Sequence, residues 1–397
     1  MISAERPLRV LAFMEASVVN GAAKTLLNFC DALRDQGTSF AEIAIVTFHR
    51  DGFAQKDCPN EFVRAVRTRG LEAIVIPERR ALDPSIPGSL RRIVAERNPD
   101  ILQTNNVKSH FLVRLSGIHR NRRWIAFHHG YTATDMKVKL YNQLDRWSLR
   151  AADRVVTVCG PFREQLTEAG IPAGRVTVLH NSATVLNSAA KADAQPVRIA
   201  YGIADETQVL LSIGRLSFEK GHADLIRALA LLRDSDSSLR WTLMVVGSGP
   251  EQARLEALTR ELDLSDKVII VGQQSDVLPF YAAADVMVLP SHSEGSPHVV
   301  LEGMSFGIPI VATRVGGVPE ILTDGETATL VEARNIRAMA DGIRAALRNP
   351  AGARARAATA KLVLQERFSH TSYLKQMLTL YREVSGQTCD HAVGRRT

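Results

Sequence analysis

Short apolar runs closed by polar or glycine-bearing stretches recur along the whole chain. In the first half they fall at residues 9–13, 41–48, 73–76, 101–103, 124–127, 154–158 and 176–179. Runs of four to eight apolar residues bounded by turn residues predict buried strands. Segments of helical spacing lie between them, for example 22–36 and 162–169. This alternation implies a parallel sheet covered by helices on both faces. At 181–196 the pattern lapses into Ala, Ser, Asp and Pro, which predicts a linker. Strand-like runs then resume at 209–213, 242–246, 268–271, 286–289, 310–312 and 329–331, with helical segments such as 225–232 and 254–262 between them. An amphipathic helix is expected around 373–381.

The predicted fold is therefore α/β, with two doubly wound, Rossmann-like parallel-sheet domains facing a central cleft. The expected boundaries are 1–190 for the first domain, 197–369 for the second, 370–385 for a final helix and 386–397 for a disordered tail. A chain of 397 residues suits two such domains. Ligands of open parallel sheets bind at the carboxyl ends of the strands, so the cleft is the expected site.

No apolar run approaches the ~20 residues needed to span a bilayer, and residues 8–13 are too short for the core of a signal peptide. The four cysteines, Cys30, Cys58, Cys159 and Cys389, have no metal-ligand spacing and fit a reduced compartment. The expected location is cytoplasmic, with peripheral attachment to the inner face of the membrane as an option.

Charge changes the picture of the first half. Residues 1–196 hold 27 Lys/Arg against 19 Asp/Glu, whereas 197–397 hold 22 against 23. Most of the excess lies in 101–154, with ten basic residues against three acidic ones, including Arg120, Arg122, Arg123, Lys137 and Lys139. A solvated arginine-rich face is the plain reading. Attraction to an anionic acceptor or to an acidic membrane surface is the functional one. Nucleic acid is not expected as a partner, because basic charge without interleaved aromatics or a binding motif is non-specific.

The densest chemistry lies between Glu294 and Glu302, which have seven residues between them. The strand at 286–289 precedes them, Ser296 reads as a helix N-cap, and Pro297 suits the first helical position. A helix start offers free N–H groups and a positive dipole end to a phosphate. The two carboxylates can accept hydrogen bonds from sugar hydroxyls. Arg215 and Lys220 flank a loop that opens with Gly214 after the strand at 209–213. Gly21 opens the helix after the first strand, and His128-His129-Gly130 follows the strand at 124–127. Adjacent histidines lack metal-site spacing. The Gly247-Ser248-Gly249 fragment lacks the third glycine of a dinucleotide loop.

The segment Ser293-Glu294-Gly295-Ser296-Pro297-His298-Val299-Val300-Leu301-Glu302 resembles the E-x7-E signature of retaining glycosyltransferases of family 4, which have the GT-B architecture. The likeness extends to Gly214-Arg215-Leu216-Ser217-Phe218-Glu219-Lys220-Gly221, Val246-Gly247-Ser248-Gly249-Pro250, Gly307-Ile308-Pro309-Ile310-Val311-Ala312 and Gly316-Gly317-Val318-Pro319-Glu320. It is close over 205–325, looser over 8–182, and fades beyond 330.

The resemblance implies that Arg215 and Lys220 neutralise a donor diphosphate. It also implies that Glu294 contacts the donor sugar near the reacting carbon and that Glu302 binds the ribose hydroxyls. Gly214, Ser296 and the amides of His298 and Val299 would meet the donor, Gly21 would approach a phosphate, and His129 would lie beside the donor sugar. The last helix would cross back onto the first domain. Three departures stand out: Pro297, Asn20 and Ser182 each replace a glycine common in the family.

The implied activity is retaining, metal-independent and cofactor-free transfer of a hexosyl group. The donor is a nucleoside-diphosphate sugar, UDP ahead of GDP. The acceptor is a hydroxyl of a glycan or a lipid-linked saccharide, in surface polysaccharide or glycolipid biosynthesis. Two alternatives stay open: a GT-B nucleotide-sugar epimerase, and a non-catalytic nucleotide-sugar-binding protein.

Overall fold

The computed structural model describes residues 6–37, 40–50, 59–80, 83–130, 136–186 and 193–386. Cys58, Cys389 and, Gly386 apart, the expected tail 386–397 lie outside the described residues. The chain divides into two compact units. One comprises Met1–His180 with His370–Thr397, the other Asn181–Ser369.

Among the described residues, the first unit holds seven strands, all paired in parallel: β1 (Leu8–Phe13), β2 (Ala41–Arg50), β3 (Glu72–Glu78), β4 (Ile101–Thr104), β5 (Arg123–His128), β6 (Arg154–Thr157) and β7 (Val176–Val178). Their order is β3-β2-β1-β4-β5-β6-β7. The central strands β1, β4 and β5 are mostly buried on both faces, whereas the edge strand β3 exposes Glu72, Val75 and Pro77. In β1, Leu11 and Phe13 enter one buried cluster while Leu8, Val10 and Ala12 pack on the opposite face. The connecting helices are α1 (Gly21–Asp35), α2 (Glu61–Thr68), α3 (Ile86–Arg97), α4 (Val107–Ser116), α5 (Met136–Leu149) and α6 (Gly160–Glu168). The order reverses between β1 and β4, and such a switch opens a crevice at the carboxyl ends of the strands.

The second unit begins its regular structure with α7 (Gln195–Ala200) and repeats the scheme. Its strands are β8 (Gln208–Ile213), β9 (Trp241–Val246), β10 (Val268–Gly272), β11 (Val286–Leu289), β12 (Ile310–Thr313) and β13 (Thr329–Val331), ordered β10-β9-β8-β11-β12-β13 and all parallel. The helices α8 (His222–Ser235), α9 (Gln252–Glu261), α10 (Leu278–Ala283), α11 (His298–Phe306), α12 (Val318–Ile321), α13 (Ile336–Arg348) and α14 (Pro350–Val363) complete it. Here the switch falls between β8 and β11. Observed strand ends agree with the expected ones to within two residues.

The final helix, α15 (His370–Ser385), belongs to the first unit. Its stripe of Tyr373, Leu374, Met377, Leu380, Tyr381 and Val384 is buried in one cluster with Phe29 of α1 and Ile125 and Phe127 of β5. Each such side chain contributes roughly 1.5–3 kcal/mol on burial. The Tyr381 hydroxyl donates to Gln103 Oε1 at 2.5 Å, which satisfies two polar groups inside this contact. Among the described residues no helix is long and apolar enough to cross a membrane.

Candidate functional site

In the second unit, the loops after β8, β9, β11 and β12 are joined backbone to backbone. Leu216 N donates to Ser248 O at 3.0 Å, and Glu251 N returns a bond to Leu216 O at 2.9 Å. His292 N donates to Glu219 O at 2.8 Å, and Gly317 N to Glu294 O at 3.3 Å. Two glycines allow close approaches between these loops. A Cβ on Gly221 (φ +67°) would stand 2.0 Å from Pro290 O, and one on Gly316 (φ +51°) 1.7 Å from Glu294 O. Both the left-handed backbone and the missing side chain are required there. The motif segments that follow β8, β9, β11 and β12 are thus one assembly at the carboxyl ends of the strands.

Within that assembly Lys220 Nζ donates to Glu294 Oε1 at 2.7 Å, and the Ser291 hydroxyl donates to the same oxygen at 2.6 Å. The Glu294 side chain is only 7% exposed, against 28% for Lys220. The aliphatic stem of Lys220 runs beside Gly214, within 3.9 Å of where a Cβ would be. Arg215 is exposed. Both cations act on Glu219. Burial pushes its carboxyl up, but the Ser217 hydroxyl, its own backbone N–H, Arg215 and Lys220 together bring it below the ordinary value. From behind, Asp224 of α8 receives His292 Nε2 at 2.8 Å and so fixes the loop after β11.

The entry to α11 departs from the sequence expectation. Ser296 is not its N-cap. That hydroxyl accepts from Asn181 N at 2.9 Å, while Asn181 Nδ2 donates to Ser296 O at 2.6 Å. Asn181 therefore does more than occupy a local turn. Pro297 is the cap residue, at φ −69° and ψ 116°, with no side-chain cap bond. Its fixed φ already suits a helix entry, so the hydroxyl is free for another task. His298 and Val299 open the helix, and Val300 N is the first amide to fold back, onto Pro297 O at 3.1 Å. No acidic residue in the first turn offsets the positive end of the dipole.

Glu302 follows on α11 and accepts from the Tyr281 hydroxyl of α10 at 2.6 Å. Burial, then the Glu302 charge and this bond, hold the Tyr281 phenol well above its usual value, so it stays a donor. Sequence reasoning missed Tyr281, and a tyrosine in the Leu278-Pro279-Phe280-Tyr281 stretch carries no signal of this partnership.

In the first unit, Gly21 is the first residue of α1, and Asn20 caps that helix by accepting from Ala23 N at 3.0 Å. Replacing glycine at position 20 thus supplies a cap. The two adjacent histidines part company. His129 is half-buried and stacks on Phe127 at 6.5 Å. His128 is buried, its Nδ1 3.3 Å from Asp145 Oδ2, while His110 Nδ1 lies 2.6 Å from Asp145 Oδ1. Burial works against the Asp145 charge, but the charges and hydrogen bonds of His110 and His128 outweigh it and keep this carboxyl far below its ordinary value. The basic cluster does not join these groups. Arg123 opens β5 and His128 closes it, so these two lie about 17 Å apart, with Arg120 and Arg122 preceding Arg123 at the amino ends of the strands. Lys137 and Lys139 fall in the first turn of α5.

The profile described as Glycosyl transferases group 1 matches residues 193–362, and that of Glycosyltransferase Family 4 matches 19–183. Among curated relatives, the chain is 28% identical to the N-acetyl-alpha-D-glucosaminyl L-malate synthase of Bacillus anthracis over 61% of its own length and 63% of that protein's. It is 36% identical to the D-inositol 3-phosphate glycosyltransferase of Streptosporangium roseum over 46% of its own length and 44% of that protein's. The matched stretch thus spans about half of these relatives. Among solved structures, Anabaena HepE in complex with UDP superposes with a TM-score of 0.79 at 19% identity, covering 95% of this chain and all of that one. Sucrose-phosphate synthase from Thermosynechococcus elongatus does so at 0.77 and 21%, covering 96% of this chain and all of its own. These likenesses show the shared GT-B fold. With the two profiles spanning both units in family order, this chain belongs to the group 1, family 4 glycosyltransferases.

Proposed function

We propose that the protein transfers a sugar from a nucleoside-diphosphate donor, UDP-linked in preference to GDP-linked, to an acceptor hydroxyl with retention of anomeric configuration. The observation that carries this reading is the contact of Lys220 with buried Glu294 at the β8/β11 switch, beside a helix start with no acid in its first turn. As the glycosidic bond breaks, negative charge grows on the departing diphosphate. Arg215, Lys220 and the opening amides of α11 meet that charge, and each fixed contact of this kind is typically worth about 3 kcal/mol. Lys220 also sets the position of Glu294, the carboxylate assigned to the donor sugar, while Tyr281 aims Glu302 at the ribose hydroxyls. Front-face attack follows, with the departing phosphate oxygen helping to remove the acceptor proton. These cations do the work a divalent ion would do, so turnover is expected to be unchanged by EDTA.

Support for a UDP donor comes from HepE, whose structure holds UDP. For the acceptor we retain a glycan or lipid-linked saccharide in surface polysaccharide or glycolipid synthesis. The relatives named for L-malate and D-inositol 3-phosphate add hydroxy acids and polyol phosphates to the screen. The test is thermal-shift screening against UDP- and GDP-sugars, followed by nucleotide release with and without acceptors. A selective rise with one donor and acceptor-dependent release of its nucleotide is expected. Isomerised donor formed without any acceptor would instead establish an epimerase, and no response to any nucleotide-sugar would overturn the reading.

A further inference from the structure

A cavity of about 550 Å³ lies in the first unit at the amino ends of its strands, at the opposite edge of the sheet from Gly21 and His129. That volume suits a small-molecule ligand. Its wall is crowded with arginines, and their pairing is incomplete. Arg6 is matched by Asp100 through two contacts of 2.7 Å, and Asp100 also takes Arg9 N at 2.8 Å. Arg123 sits 3.5 Å from Asp153, which also accepts from Trp124 N at 2.8 Å. Both lining carboxylates are therefore spent.

Among the described residues Arg122 has only neutral acceptors, Asn98 Oδ1 at 2.5 Å and Asn121 O at 3.4 Å, and its buried Nε has no hydrogen-bond partner. Arg120 lines the same cavity with no ion pair from its side chain among the described residues. Burial first, then the nearby Arg114 and Arg120, lowers the affinity of His119 for a proton, so this histidine adds little charge near neutral pH. Two guanidinium groups thus converge on one cavity without counter-charge. The buried Arg122 Nε is withdrawn from water without an acceptor, which is costly, and guanidinium forks match phosphate oxygens two at a time.

We infer that this cavity binds a phosphate monoester, through Arg120 and Arg122, at a site separate from the one that holds the donor diphosphate. Near neutral pH such a group carries close to two negative charges, the number the cavity leaves unmatched.

The test is calorimetric titration of the full chain with inorganic phosphate at constant ionic strength, with saturating UDP present to occupy the donor site. One equivalent should bind. Affinity should fall at least tenfold in Arg120→Gln and be abolished in Arg120→Gln/Arg122→Gln, while Lys220→Ala binds phosphate as the wild type does. Arg120 is exposed and makes no pair, so its single variant reports binding without disturbing the fold. A second arm sediments the chain with phosphatidylcholine vesicles with and without phosphatidic acid. Co-sedimentation that needs phosphatidic acid and the two arginines assigns the phosphate to a lipid headgroup, and phosphate binding without it assigns a soluble ester. Equal phosphate affinity in the wild type and the double variant, or loss in Lys220→Ala alone, would overturn the inference.

Discussion

Removing the Lys220 ammonium tests the site through two quantities that the structure separates. In Lys220→Ala, Glu294 keeps only the Ser291 hydroxyl on Oε1 and becomes a buried carboxylate without its cation. Breaking a fully buried pair by deleting one partner costs about 3–5 kcal/mol. Lys220 is 28% exposed, so water replaces part of what is lost, and about 1–2 kcal/mol is the expected destabilisation. Glu294→Gln should cost less, because the freed ammonium reaches solvent. The double variant should then recover most of the Lys220→Ala loss, since a neutral amide needs no counter-ion, giving a coupling of about 1 kcal/mol. Turnover should behave differently. Lys220→Ala and the double variant should both fall by about a hundredfold or more, because the departing diphosphate lacks its cation in each. Urea melts and nucleotide release at saturating donor measure the two effects. Additive stability losses would refute the pairing, and turnover within threefold of wild type in Lys220→Ala would refute the assignment to the diphosphate.

Other expectations follow from neighbouring contacts. Tyr281→Phe removes the hydroxyl that aims Glu302, so UDP affinity by calorimetry should fall about tenfold, or 1.4 kcal/mol, while turnover at saturating donor changes little. Gly316→Ala combines an unfavourable φ with a Cβ 1.7 Å from Glu294 O, and about 3 kcal/mol of stability should be lost together with most activity. Gly307→Ala, with similar φ but open space around it, should cost about 1 kcal/mol and keep activity. Burial first, and Lys220 second, lower the pKa of His222 to about 4. The unfolded chain takes up this proton near pH 6.5 and the native state does not, so stability should fall as pH drops from about 6.5 to 4 and level off below. His222→Asn should flatten that limb in urea melts across the range. An unaltered slope would mean that His222 is not the group responsible.

Much of the architecture was legible because apolar strand runs and helical spacing are local properties. The strands of both sheets, the loops bearing Arg215, Lys220 and Glu294, and Asn20 before α1 all follow from short stretches. What the sequence concealed depends on partners far away along the chain. Ser296 has the chemistry of a cap and sits in the right place for one, yet Asn181 claims its hydroxyl. Tyr281 reaches Glu302 from another helix. That His128 meets Asp145 depends on a helix seventeen residues further on, and only strand direction reveals that the arginine-rich stretch faces away from His129.

The backbone joints among the loops after β8, β9, β11 and β12 have an evolutionary and engineering consequence. A graft of any single loop from a relative would bring foreign spacing against the one or two loops it is joined to and fail at the seam. On the proposed function, donor preference would then change by exchanging side chains on an unchanged frame or by transplanting all four loops as one cassette.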